Sequence, residues 1–214
     1  MAKIHPKAEA AAMAVELQTT TTSCSSQRPQ EAFTVWMKSL VINGNGCTVF
    51  DSAGRLVFRV DNYQTKCCKE ALLMDCTGQV LFSIKTQKKA LVNKSWRIHK
   101  WIDSKNVTEK GEWFEVRRKS GLFRRDITCH ATLGCNRGEV TTMLSIYTIE
   151  GIRGKSTVKI HDGTGRVLAE MVQKQVKDGV CLGDDVLSLT VEPHADRSLI
   201  MALVLVYAMI NQKM

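Results

Sequence analysis

The chain has 214 residues, of which 44% are apolar and 24% charged. That balance excludes a chain too short or too polar to bury a core, and it suits one large domain or two small ones. The formal net charge is +9, unevenly placed: Val80–His130 holds 13 Lys/Arg against 5 Asp/Glu, a local excess of +8. Such a field attracts phosphate, nucleic acid or an acidic membrane surface, or it belongs to a solvated face without a partner.

Residues 1 to about 31 read as a disordered tail. A short Ala-rich stretch, Ala8–Val15, runs into TTTTSCSSQRPQ, a polar low-complexity run that buries too little to fold. The first residues, MAKIHPKAEAAAMAVELQ, lack the apolar core of a secretory signal. Residues 32–214 form one domain in which short alternating runs follow one another. The strands are predicted at Phe33–Lys38, Thr48–Phe50, Leu56–Val60, Ala71–Met74, Val80–Lys85 and Ser95–Trp101. The series continues at Trp113–Arg117, Ile127–Leu133, Thr141–Tyr147, Thr157–His161, Val167–Met171 and Val186–Val191.

One pattern occurs three times: VFDSAGRLVFRV (Val49–Val60), LMDCTGQVLFSI (Leu73–Ile84) and IHDGTGRVLAEM (Ile160–Met171). Asp51, Asp75 and Asp162 suit the start of a tight hairpin, where a carboxylate accepts backbone N–H bonds. Gly54, Gly78 and Gly165 suit its end, where φ is positive, as in a type I turn followed by a bulge. The alternative, a phosphate-cradling loop at Asp162-Gly163-Thr164-Gly165, lacks the following helix that such loops need.

The chain closes on twelve apolar residues in a row, Leu199–Ile210. Asp196 can cap a helix here, and to Asn211 it measures about 15 residues, ~22 Å. A bilayer core is ~30 Å thick and takes about 20 residues, so the run is short for a membrane anchor. A helix that is apolar all round must be buried all round. Everything before it reads as strand, so the strands must surround it. Eight strands fill their own interior, whereas a helix ~10 Å wide needs a larger barrel, of eleven strands or so. The expected fold is mainly β: a closed barrel of about 12 strands enclosing a buried hydrophobic C-terminal helix.

With the barrel and helix in view, VWMKSLVINGNGCTVFDSAGRLVFRVDNY (Val35–Tyr63), LMDCTGQVLFSIK (Leu73–Lys85) and GDDVLSLTVEPHADRSLIMALVLVYAMINQ (Gly183–Gln212) resemble the plant LURP-one-related proteins. The resemblance spans residues 31 to 212 and is weakest over Ile127–Ile152. It implies a tubby C-terminal-like fold, shared with phospholipid scramblases, no enzymatic activity, and a link to plant defence and membrane-tethered regulation. Tubby domains bind phosphoinositide headgroups through basic side chains, but no motif carries that site onto positions of this chain.

The densest basic cluster is RRKSGLFRR, with Arg117, Arg118, Lys119, Arg124 and Arg125 on one hairpin turning near Gly121. Arginine's planar fork suits phosphate, so the cluster is either an anionic headgroup site or a hairpin tip kept soluble by charge. Arg117 and Lys119 share one strand face. Lys85, Lys88 and Lys89 form a smaller cluster. Trp96, Trp101 and Trp113 interleave with cations, as nucleic-acid stacking platforms do, but strand tryptophans more often pack in a core or rim.

Eight cysteines, Cys24, Cys47, Cys67, Cys68, Cys76, Cys129, Cys135 and Cys181, are expected to be reduced thiols of an intracellular protein, cytoplasmic or nuclear or peripheral at a membrane. Asn93-Lys94-Ser95 and Asn106-Val107-Thr108 match a glycosylation pattern that such a protein leaves idle. Cys67-Cys68 beside Lys66 and Lys69 offers a lipidation site as an alternative tether. Cys129-His130 with Cys135 lacks a fourth metal ligand, and alternation sends Cys129 and His130 to opposite faces. There is no nucleophile elbow, zincin motif or P-loop, so no catalytic, cofactor or metal site is expected. The leading expectation is a non-catalytic binder of anionic phospholipid. A protein-interaction adaptor is the alternative, with lipid translocation and DNA binding behind it.

Overall fold

The computed structural model describes residues 29–37, 46–64, 69–89, 93–101, 113–119, 125–134, 145–175, 179 and 182–211. They form twelve strands and one helix: β1 (Glu31–Trp36), β2 (Gly46–Phe50), β3 (Leu56–Gln64), β4 (Lys69–Asp75), β5 (Val80–Lys89) and β6 (Asn93–Lys100), then β7 (Trp113–Arg118), β8 (Asp126–Gly134), β9 (Ser145–Ile152), β10 (Val158–Asp162), β11 (Val167–Gln173) and β12 (Val186–Val191), and last α1 (Arg197–Ile210). Each strand pairs antiparallel with the next in sequence. β1 then pairs with β12, from Glu31↔Val191 to Trp36↔Val186, and the barrel closes.

Alternation decides which side chains line the inside. Val35, Val49, Val60, Leu73, Ile84, Ile98 and Val116 of successive strands are buried, as are Ile149, Ile160 and Leu189 further round. The space they enclose is filled by α1, whose residues Leu199 to Ala208 are buried without a break. The helix starts where the carboxylate of Asp196 accepts the backbone N–H groups of Ser198 (2.9 Å) and Leu199 (3.2 Å), satisfying donors that the first turn leaves open. It stops at Asn211, whose N–H bonds to the Tyr207 carbonyl at 3.0 Å. At 14 residues and enclosed, α1 is a core element, and no helix of the described residues is long and apolar enough to cross a membrane.

The helix gives the barrel two distinct rims. At the N-rim, where α1 begins, lie the β2–β3, β4–β5 and β10–β11 turns, which carry the three Asp-Gly repeats. At the C-rim, where α1 ends, lie the β7–β8 and β9–β10 connections. The repeats are hairpins of the expected type. Gly54, Gly78 and Gly165 have φ of 76°, 90° and 86°. The register shifts at Val49/Phe50, Leu73/Met74 and Ile160/His161, a bulge at each hairpin. Asp162 Oδ1 accepts the N–H groups of Thr164 and Arg166, and its Oδ2 takes the Arg166 guanidinium. The turn's own carboxylate therefore fills the place that a phosphate would need, which removes the phosphate-loop alternative.

β3 and β5 run four residues beyond their expected ends, β1 is shifted by two, and β9 is displaced furthest. β9 covers Ser145–Ile152, not Thr141–Tyr147, and residues 141–144 lie outside the described ones. Its inward row is Tyr147, Ile149 and Gly151, and a Cβ on Gly151 would collide with the ring of Tyr207. The glycine makes room for the widest side chain of the helix.

Candidate functional site: a basic rim

β7 ends and β8 begins at the C-rim, with Arg117↔His130 and Arg118↔Cys129 as register partners and the Lys119 N–H bonded to the Thr128 carbonyl at 2.8 Å. Arg117 and Lys119 fall on the outer face and are exposed, whereas Arg118 follows the inward row and is half-buried. Arg125 is exposed at the start of β8. Arg124 lies outside the described residues, as do the side chains of Lys88 and Lys89.

Arg117 has a partner of its own. Its Nη2 lies 2.9 Å from Oε2 of Glu115, a carboxylate on the outer face that is only 3% exposed. The Glu115 hydrogen bond and charge push the Arg117 pKa up, against slight desolvation. Arg117 therefore serves the fold by neutralising a buried acid, and its charge is largely spoken for. Lys85 is similarly paired with Glu70 at 3.2 Å.

Two further cations join the rim. The β9–β10 connection carries Arg153 and Lys155, both exposed, and the Arg153 N–H bonds to the Arg125 carbonyl at 2.7 Å. The rim sector thus gathers Arg118, Lys119, Arg125, Arg153 and Lys155. Among the described residues of that sector, 118–119, 125–126 and 152–155, Asp126 is the one carboxylate. Nothing in the short string Ile152-Arg153-Gly154-Lys155 marks it as part of a basic cluster. The β8–β9 register, Asp126↔Ile152, puts it there.

The other candidates resolve differently. Trp96 is buried inside the barrel, Trp101 is 47% exposed at the N-rim, and the Trp113 side chain is not among those described. The aromatics form no shared platform. Cys129 points inward and His130 outward, half-buried. Burial pushes the Cys47 and Cys129 thiols up to about 12 each, with Arg118 opposing the rise at Cys129, so both are neutral core residues. Cys47, Cys76 and Cys129 are free thiols, while Cys67, Cys68 and Cys135 lie outside the described residues. At the N-rim a cavity of about 370 Å³ opens beside Leu199 and Ile200, walled by Ile146, Leu168 and Tyr147. The nearby Asp162 and Asp196 are already bonded to their own turn and helix.

The model of the LURP-one-related family matches residues 31–208. The chain belongs to the LURP-one-related family. LURP-one-related 11 of Arabidopsis thaliana is 39% identical over 213 residues, 99% of this chain and 89% of that protein. LURP-one-related 3 of the same plant is 39% identical over 189 residues, covering 86% of this chain and 82% of that protein. A solved Arabidopsis thaliana protein superposes with a TM-score of 0.57 at 16% identity, over 85% of this chain and 91% of the other. The family membership fits the strands and helix described above, and the solved structure shares the fold.

Proposed function

We propose that this LURP-one-related protein is a non-catalytic module that binds the anionic surface of a phospholipid membrane with the C-rim of its barrel. One observation carries the reading: Arg118, Lys119 and Arg125 of the β7–β8 hairpin share one sector of rim with Arg153 and Lys155 of the β9–β10 turn, where Asp126 is the one carboxylate among the described residues. Each cation held near an anionic bilayer adds about 1 kcal/mol, so five make a useful affinity without a deep pocket. Phosphoinositides, which concentrate several phosphate charges on one headgroup, are the lipids such a rim favours. The setting is that of a peripheral, intracellular regulator in plant defence signalling, as the resemblance implies.

The test is co-sedimentation of the full chain with neutral vesicles and with vesicles containing a phosphoinositide, at low and at physiological salt. Selective binding that persists at physiological salt, and that drops when Lys119 and Arg125 are both changed to Glu, is the expected result. Equal sedimentation with both vesicle types, or none, would reject the reading and favour a protein-interaction adaptor.

A further inference from the structure

The turn that joins β9 to β10 is exposed, yet much of its backbone is bonded within the protein. Its N–H groups are used in succession: that of Arg153 by the Arg125 carbonyl (2.7 Å), that of Gly154 by Asn211 Oδ1 (3.3 Å) and that of Lys155 by the Ile152 carbonyl (3.0 Å). The carbonyls of Ile152, Lys155 and Thr157 are used as well. The Tyr207 hydroxyl stands 3.0 Å from the carbonyl oxygens of Ile152, Lys155 and Thr157 and shares its one proton among them. The Asn211 amide donates to the Lys155 carbonyl at 3.1 Å. Gly154 takes φ of 78°, which lets the chain reverse within four residues. The end of the central helix thus grips the turn from inside the barrel.

A turn whose N–H groups and several of whose carbonyls are bonded inside the protein loses less on leaving water than one bonded to solvent throughout. This turn also shows what such a transfer would need on its outside. Ile152 is 48% exposed on the outer face opposite Asp126, and the two residues Arg153 and Lys155 that follow it in the turn are exposed as well. An apolar side chain next to two long cationic ones can enter the acyl boundary while the cations reach phosphates.

We infer that Ile152–Lys155 is the tip by which the barrel docks end-on to an anionic bilayer, with Ile152 entering the interface and Arg153 and Lys155 pairing with lipid phosphates. The inference rests on the membrane reading above and adds the orientation and the penetrating element. It differs from a purely electrostatic rim in one respect: part of the binding survives salt, and that part depends on Ile152.

The experiment is co-sedimentation of the full chain and three variants with phosphatidylcholine vesicles containing phosphoinositide, titrated at low and physiological salt, with thermal melts to confirm folding. Ile152→Asn should weaken binding about fivefold, by a factor that salt does not change. Arg153→Gln with Lys155→Gln should weaken it about thirtyfold at low salt. Lys100→Gln, at the opposite rim, should leave it unchanged. If the unaltered chain binds and the Ile152 and Arg153/Lys155 variants bind equally well, the tip is not the contact, although the membrane reading stands. If the unaltered chain does not bind, both fall together.

Discussion

Asp51, Asp75 and Asp162 each accept two backbone N–H groups at the start of a hairpin. Their pKa values fall below the ordinary 3.8 for related reasons: at Asp51 chiefly the Arg55 backbone bond, at Asp75 the Thr77 hydroxyl and at Asp162 the Thr164 hydroxyl. A carboxyl depressed in the folded state contributes stability that is fully present above its unfolded value and is lost as pH falls through the lower folded one. Urea midpoints should therefore hold steady down to about pH 4 and then decline. Asp162→Asn should flatten that decline, and an identical acid limb in the variant would show that the turn carboxylate is not its source. At Gly165 a substitution meets open space, so φ of 86° is the whole difficulty. Gly165→Ala should cost about 1–2 kcal/mol in chemical denaturation. Arg117 is a residue whose role reverses between sequence and structure. Its place in a run of five cations suggests a ligand contact, yet the buried Glu115 claims it. Arg117→Gln should lower stability by about 1–2 kcal/mol, whereas Lys119→Gln should leave the melting temperature unchanged.

At the scale of elements, α1 and β9 depend on each other. The helix is legible because no face of it is polar: a run from Leu199 to Ile210 with a capping Asp196 is too short to cross a bilayer and has to be enclosed by the strands. Leu203→Asp or Val204→Asp should unfold the barrel, since both positions are 0% exposed and a charge there costs several kcal/mol. A cooperative melt near that of the unaltered chain would place the helix elsewhere. Expectation puts β9 about four residues early, at Thr141–Tyr147, because that run alternates as Ser145–Ile152 does, and it leaves out Gly151. Its reason for being glycine is the Tyr207 ring, 56 positions later, a cause that no local window contains. Three of the five rim cations are legible in the same sense. Arg118, Lys119 and Arg125 announce themselves by density, while Arg153 and Lys155 enter the cluster only through the β8–β9 register.

The whole molecule is a ring of twelve strands whose first and last members are neighbours, so no strand edge remains open among them. A closed ring removes the pairing surface that open sheets must guard with charge or bulges. It also has polarity. One rim is tied by compact Asp-Gly hairpins, and the other carries the cations and the end of the helix. A function that uses one rim thus leaves the other free to vary.

The order of synthesis gives the enclosed helix a further significance. The twelve strands are made before their filling, so a growing chain must hold a wet, half-shaped lining until α1 emerges. At about 5–20 residues per second the delay between Val191 and the end of α1 lasts a second or a few. During that time the inward rows are available to chaperones, proteases and one another. A ribosome-arrested chain stopped at Val191 should be cut readily by a brief protease pulse. One extended by a linker beyond Met214 should resist it. Equal resistance in the two would mean that the strands can close without the helix. If the difference appears, α1 decides when the twelve strands before it become a structure.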